Sequence, residues 1–171
     1  LKTITNQYLD SIWGFCVTSK GEIVVPNNRY LKPPMTEDER KKNAVAEILI
    51  LDSDGNLLNQ FVWYEEKGPI IVPSQIIEYK DDFLVTDIRV NKIFRINRKG
   101  EIVSSFGEFG DGPGQIYYPG DIAIDSNGNL TVVDVYNSRL QSFSPDGKFL
   151  KVLVEKGQEQ GKIMFPEYVS Y

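Results

Sequence analysis

Carboxylates in turns and at strand ends are the residues of this sequence best placed to do chemistry. Asp52-Ser53-Asp54-Gly55-Asn56 offers oxygens at alternating positions, as a loop holding a hard cation such as calcium does. Its glycine comes too early for a helix-flanked calcium loop, and no glutamate closes it. The counterparts Asn97-Arg98-Lys99-Gly100-Glu101 and Ser144-Pro145-Asp146-Gly147-Lys148 lack the oxygens to chelate in the same way, so all three read as turns. Asp87 and Asp134 recur at the end of a strand, where a carboxylate accepts backbone N–H groups of the following turn, and Asn137 and Arg139 complete such a network around Asp134. The sequence contains no histidine, which removes Ser-His-Asp and Cys-His pairs and His-rich zinc sites from these residues. Acid–base work would fall to carboxylate, tyrosine or lysine. Cys16, the single cysteine, lies in the apolar run Trp13-Gly14-Phe15-Cys16-Val17 and reads as a small buried hydrophobe.

The elements that carry these residues follow from a repeat. Val72-Pro73, Tyr118-Pro119 and Phe165-Pro166 stand about 46 residues apart, a period that holds about four short strands, the content of one propeller blade. Asp54-Gly55, Lys99-Gly100 and Asp146-Gly147 each separate two apolar strands, a hairpin signal. A second hairpin lies upstream in each unit, at Ser19-Lys20-Gly21, Lys80-Asp81-Asp82 and Ser126-Asn127-Gly128. Two hairpins make a four-stranded unit. The glycine-rich run from Gly107 to Gly114 lacks the Gly-Lys-Ser/Thr and helix of a phosphate loop. It reads as the crossover into a strand beginning at Ile116-Tyr117-Tyr118, with Gly161 and Pro166 at matching offsets one unit later.

Phe106-Gly107-Glu108-Phe109-Gly110-Asp111-Gly112-Pro113-Gly114-Gln115, then Tyr118-Pro119-Gly120-Asp121-Ile122-Ala123-Ile124-Asp125 and the strand pair from Asn129 to Phe143, resembles an NHL repeat. Residues 72–107 resemble it more loosely, with Asp87 and Asn91-Lys92 in place of Asp134 and Asn137-x-Arg139. Residues 12–63 resemble it in outline, with Asn27 replacing the aspartate. The resemblance implies an all-β, six-bladed propeller of four-stranded antiparallel blades, with a binding surface at one end of the ring. It also implies that the loop between the second and third strands opens on that surface, lined by Asp87, Arg89, Asp134, Tyr136, Asn137 and Arg139. The family spans RNA binders, protein-interaction modules, lyases and hydrolase-like enzymes, and the resemblance favours an extracellular or periplasmic setting.

Six such blades need roughly 275 residues, and this chain has 171. About three and a half units are expected: 12–63, 72–107 and 118–154, with 164–171 opening another. Unpaired strand edges invite association, so remaining blades of a longer polypeptide, a second copy or partner chains are expected to cover the open edges. A hydrophobic content of 41% supplies a core, and no apolar stretch reaches the 18 or more residues of a membrane span. A net charge of −5 argues against nucleic acid. The basic zone Arg89, Lys92, Arg95, Arg98 and Lys99 reads as a solvated strand face.

One insertion, 30–45, interrupts the first unit. Thr36-x-x-Glu39 is a capping box and Arg40-Lys41-Lys42 closes a short charged run, which predicts a helix of two turns. Insertions in repeat proteins map to loops on one face, where Tyr30 and Met35 would contribute an apolar partner contact. The reading is a non-catalytic recognition module for a protein, peptide or glycan, without a cofactor. The alternative is a metal-assisted hydrolase or lyase with a calcium-like ion among axial carboxylates.

Overall fold

The computed structural model describes residues 12–30, 44–64 and 69–170. The expected helix over 36–42 and Met35 lie outside the described residues. Among the described residues, twelve strands form three antiparallel sheets of four. Blade I contains β1 (Cys16–Val17), β2 (Ile23–Tyr30), β3 (Ala44–Leu51) and β4 (Leu57–Tyr64). Blade II contains β5 (Pro73–Tyr79), β6 (Asp82–Asp87), β7 (Lys92–Ile96) and β8 (Ile102–Phe106). Blade III contains β9 (Pro119–Ile124), β10 (Leu130–Asp134), β11 (Arg139–Phe143) and β12 (Phe149–Val154). Within each sheet sequential strands are neighbours, and β5, the first strand of blade II, lies against β2 of blade I and β9 of blade III.

Alternation places blade II between two neighbours. Along β6, Phe83 and Val85 join the cluster shared with blade I, where they meet Ile48, Phe61 and Ile76. Leu84 points the other way and meets Ile122, Leu130 and Phe143 of blade III. A strand buried on both faces reads as a continuous apolar run, which is why Phe83-Leu84-Val85 shows no polar alternation. Full burial of each such side chain contributes about 1.5–3 kcal/mol.

The hairpin between the third and fourth strands has one chemistry in all three blades. The side-chain oxygen of Asp52 accepts N–H bonds from Asp54 and Asn56 (both 2.8 Å), and Asn97 Oδ1 accepts from Lys99 and Glu101 (2.9 and 3.0 Å). Ser144 Oγ accepts from Lys148 N in the same place (3.0 Å). The oxygens of Asp52 are thus engaged in closing a turn, and Asn56 in particular holds its carboxyl below the usual carboxylate range.

Gly100 and Gly147 do more than turn the chain. Both have positive φ (81° and 82°), and a Cβ there would stand 2.6 Å from the Phe61 ring and 2.7 Å from the Phe106 ring. The outer-strand phenylalanine of one blade therefore rests on the hairpin of the next. Two expectations are corrected. Tyr117 and Tyr118 are not strand residues: Ile116 makes an isolated parallel bridge with Phe109, and the chain then turns through Tyr118 at a φ of 68° before β9 begins at Pro119. The strand around Cys16 is only two residues long and Cys16 is half-buried, with burial the main cause that pushes its thiol up to about 11.

Candidate functional site

Asp134 ends β10 and is fully buried. Its Oδ1 accepts the N–H of Tyr117 (2.7 Å) and its Oδ2 accepts Arg139 Nε (2.7 Å), while Asn137 Nδ2 and Gln141 Nε2 donate from the same side. Arg139 also donates to the carbonyls of Asp111, Gly112 and Gln115 (2.7 to 2.9 Å). Asn137 Nδ2 also reaches the carbonyl of Gly110 (2.9 Å). One carboxylate thus fixes both the β10–β11 loop and the crossover that precedes β9. Asp87, also fully buried, does the same in blade II. It accepts Ile71 N (2.6 Å) and Val72 N (2.9 Å) on one oxygen and Arg89 N (2.8 Å) and Val90 N (3.2 Å) on the other.

Each such loop also fastens the next crossover. Asn91 Oδ1 accepts the Tyr118 N–H at 2.9 Å, and Ser138 Oγ accepts the Phe165 N–H at 3.2 Å. All four residues have positive φ: 56° and 52° at Asn91 and Ser138, 68° and 48° at Tyr118 and Phe165. Asparagine tolerates this region, but bulky residues there cost about 1–3 kcal/mol. The strain recurs at the position before Pro119 and Pro166, at an aromatic residue each time.

The aromatic side chains form a connected surface. Tyr136, half exposed in the β10–β11 loop, meets the Tyr117 ring edge-on at 4.8 Å and the Tyr118 ring tilted at 4.7 Å. Phe109 continues the row against Tyr117 at 5.0 Å. The hydroxyl of Tyr118 is held above its ordinary value, chiefly by burial and next by Tyr136. Beside this row lies a cavity of about 530 Å³. Tyr118 and Tyr136 line it together with Trp13, Ser74, Gln75, Glu167 and Tyr168. Next to the lining residue Gly120, Asp121 on β9 is 7% exposed and accepts Val169 N at 2.9 Å. Burial is the largest influence on that carboxyl and pushes it above its ordinary value.

Of the residues expected at the site, Tyr136 lines the cavity, and Asn137 and Arg139 stand behind it as its supports. Asp87 and Asp134 are enclosed and bonded within the chain, so neither reaches the surface. Arg89 is exposed on the blade II loop but does not line the cavity. Tyr30 ends β2. The basic zone is partly paired: Arg95 bonds Asp82 (2.7 Å), and Arg98 bonds Glu22 (2.6 Å) and Glu78 (3.0 Å). Sequence reasoning missed Trp13, Gln75, Tyr118, Glu167 and Tyr168. A signal was present for one of them, because Ser74, Gly120 and Glu167 each follow the proline that marks the repeat.

Among solved structures, the chain is similar to one in the nidogen/laminin complex (TM-score 0.65, 17% identity, 99% of this chain and 56% of that one). It is also similar to a catalytically inactive virginiamycin B lyase from Staphylococcus aureus (TM-score 0.58, 18% identity, 92% of this chain and 45% of that one). At these identities the likeness shows the fold alone, and the fold hosts more than one activity. Among curated proteins, it is 40% identical over 115 residues to E3 ubiquitin-protein ligase TRIM71 of Rattus norvegicus, over 60% of this chain and 13% of the relative. It is 32% identical over 65 residues to Protein brain tumor of Drosophila melanogaster, over 38% of this chain and 6% of the relative. The chain thus spans a small part of the curated relatives it matches. These relatives do not support the exclusion of nucleic acid drawn from net charge. The family model described as a 6-bladed beta-propeller matches residues 64–154. That is more than half of the chain, which therefore belongs to the 6-bladed β-propeller family, with repeats of the NHL type.

Proposed function

We propose that this chain is a non-catalytic recognition module that holds a protein or peptide segment against the aromatic surface beside its cavity. The observation that carries this reading is the row Phe109, Tyr117, Tyr136 and Tyr118, presented by loops whose polar groups are already satisfied internally. Rings on a rigid loop bury large area at little entropic cost, which is what a binding anchor requires. Metal-assisted hydrolysis would need converging carboxylates. Among the described residues no group of three His, Cys, Asp or Glu is placed to hold an ion, and Asp87 and Asp134 are engaged in holding loops.

The test is a screen of the chain against peptide, glycan and RNA arrays, followed by titration of the best ligand into Tyr136→Ala. The expected result is a peptide ligand and a loss of about 2 kcal/mol, roughly thirtyfold in affinity, with an unchanged melting temperature. A ligand that binds the variant equally well, a hit confined to RNA or glycan, or turnover of the bound molecule would overturn the reading.

A further inference from the structure

We propose that the cavity beside Tyr136 receives one cationic side chain, an arginine or lysine of the bound peptide. This deepens the recognition reading above and rests on it. Among the described residues, the lining contains four aromatic side chains, Trp13, Tyr118, Tyr136 and Tyr168, and a single charged one, Glu167. No lysine or arginine among the described residues lines the cavity. Aromatic faces carry the negative end of the ring quadrupole and attract a cation held within about 6 Å of the ring centre. A carboxylate in the same enclosure adds to that field and disfavours an anion. Trp13, Tyr136 and Tyr168 are 51%, 50% and 73% exposed, so the rings are open to an entering group.

The hydrogen-bonding groups point the same way. Ser74 Oγ is already engaged with Thr86 Oγ1 at 2.8 Å. Gln75, which also lines the cavity, has its Oε1 turned against Gly14, where an added Cβ would collide with it, and that oxygen is buried without a hydrogen-bond partner among the described residues. A small rotation of the amide would turn this spare acceptor toward a ligand rich in N–H donors, as guanidinium and ammonium groups are. The neighbouring guanidinium of Arg139 is engaged with Asp134 and three carbonyls. A neutral sugar would use the rings but not the charge of Glu167.

The experiment titrates the chain with glycine-flanked peptides whose central residue is arginine, lysine, citrulline or glutamate. Tryptophan fluorescence is the readout, with Trp13→Phe identifying the responding ring. The expected order places arginine and lysine about tenfold tighter than citrulline, with glutamate weakest. Glu167→Gln should reduce the arginine-to-citrulline ratio severalfold, leaving the part that the rings contribute, without moving the melting temperature, because the Glu167 side chain is exposed. Citrulline binding as tightly as arginine, a preference for glutamate, or a ratio unaffected by Glu167→Gln would overturn the proposal. Peptides that bind through Tyr136 with no charge preference would overturn it while leaving the recognition module intact. Binding of none of them, or displacement only by single-stranded RNA, would overturn both.

Discussion

A buried carboxylate that ties two loops together is a costly position to change. Asp134→Ala would leave Arg139, whose side chain is 12% exposed, with an uncompensated charge. The expected loss is about 3–5 kcal/mol, measured as a shift of the urea midpoint at constant slope. Asp121 has the opposite sign. Burial raises its pKa in the folded state, so the ionised carboxyl weighs against folding near neutral pH. Stability associated with it rises as pH falls through that raised value and levels off below the ordinary value of 3.8. Asp121→Asn is therefore expected to be at least as stable as the parent at pH 7 and to lack this rise. A less stable variant at pH 7 would count against burial as the dominant influence. At this scale the sequence shows Asp134, Asn137 and Arg139 as one local network because they lie within six residues of each other. It does not show the partners of that network at Gly110, Asp111, Gly112, Gln115 and Tyr117, which only folding brings near.

Hairpins are the elements most legible in the sequence, since their glycines announce a backbone that other residues resist. Gly21 and Gly147 have similar φ, 79° and 82°, yet their surroundings differ. Nothing lies within 4 Å of a Cβ built on Gly21, whereas one on Gly147 would press on the Phe106 ring. Gly21→Ala should cost only the conformational penalty, about 1–2 kcal/mol. Gly147→Ala should cost more, and truncating the ring in a Phe106→Leu background should recover part of the difference. Equal midpoint shifts for the two alanine variants in urea would show that the ring gives way freely. The aromatic stacking on the turn escapes sequence reading because Phe106 and Gly147 belong to different blades, and the turn motif is complete without its neighbour. The strand expected at Ile116-Tyr117-Tyr118 failed for a related reason. Its β-prone residues are held in a crossover by bonds to Glu108, Asp134 and Asn91, which outweigh intrinsic preference.

Between blades I and II, Glu22, Arg98 and Glu78 form a polar clasp at the ends opposite the candidate site, with the Arg98 guanidinium over the Phe83 ring at 5.1 Å. The Arg98 hydrogen bond is the main reason that the Glu22 carboxyl is held below its ordinary 4.5. A depressed carboxyl contributes stability above the ordinary value and loses it as pH falls through the lowered one. Arg98→Gln should therefore lower stability at pH 7 by about 1 kcal/mol, given partial exposure, and the gap from the parent should close in acid and narrow in high salt. A gap that persists in acid would assign the loss to the ring contact. At this scale the order of blades is legible from the spacing of Pro73, Pro119 and Pro166. The cavity is not, because Trp13, Gln75 and Glu167 come from three distant stretches of chain. Overlaying the repeats would have aligned Ser74, Gly120 and Glu167, but it gives no reason to single out Trp13.

The support of Tyr136 by its neighbours has a practical corollary. Asp134 and Asn137 lock the loop from either side through their own side chains, so these bonds do not depend on the half-exposed side chain of Tyr136, one of the two residues between them. Codon 136 is thus a natural locus for randomisation: a library varied there, and nowhere in its brackets, should yield folded proteins with altered tastes.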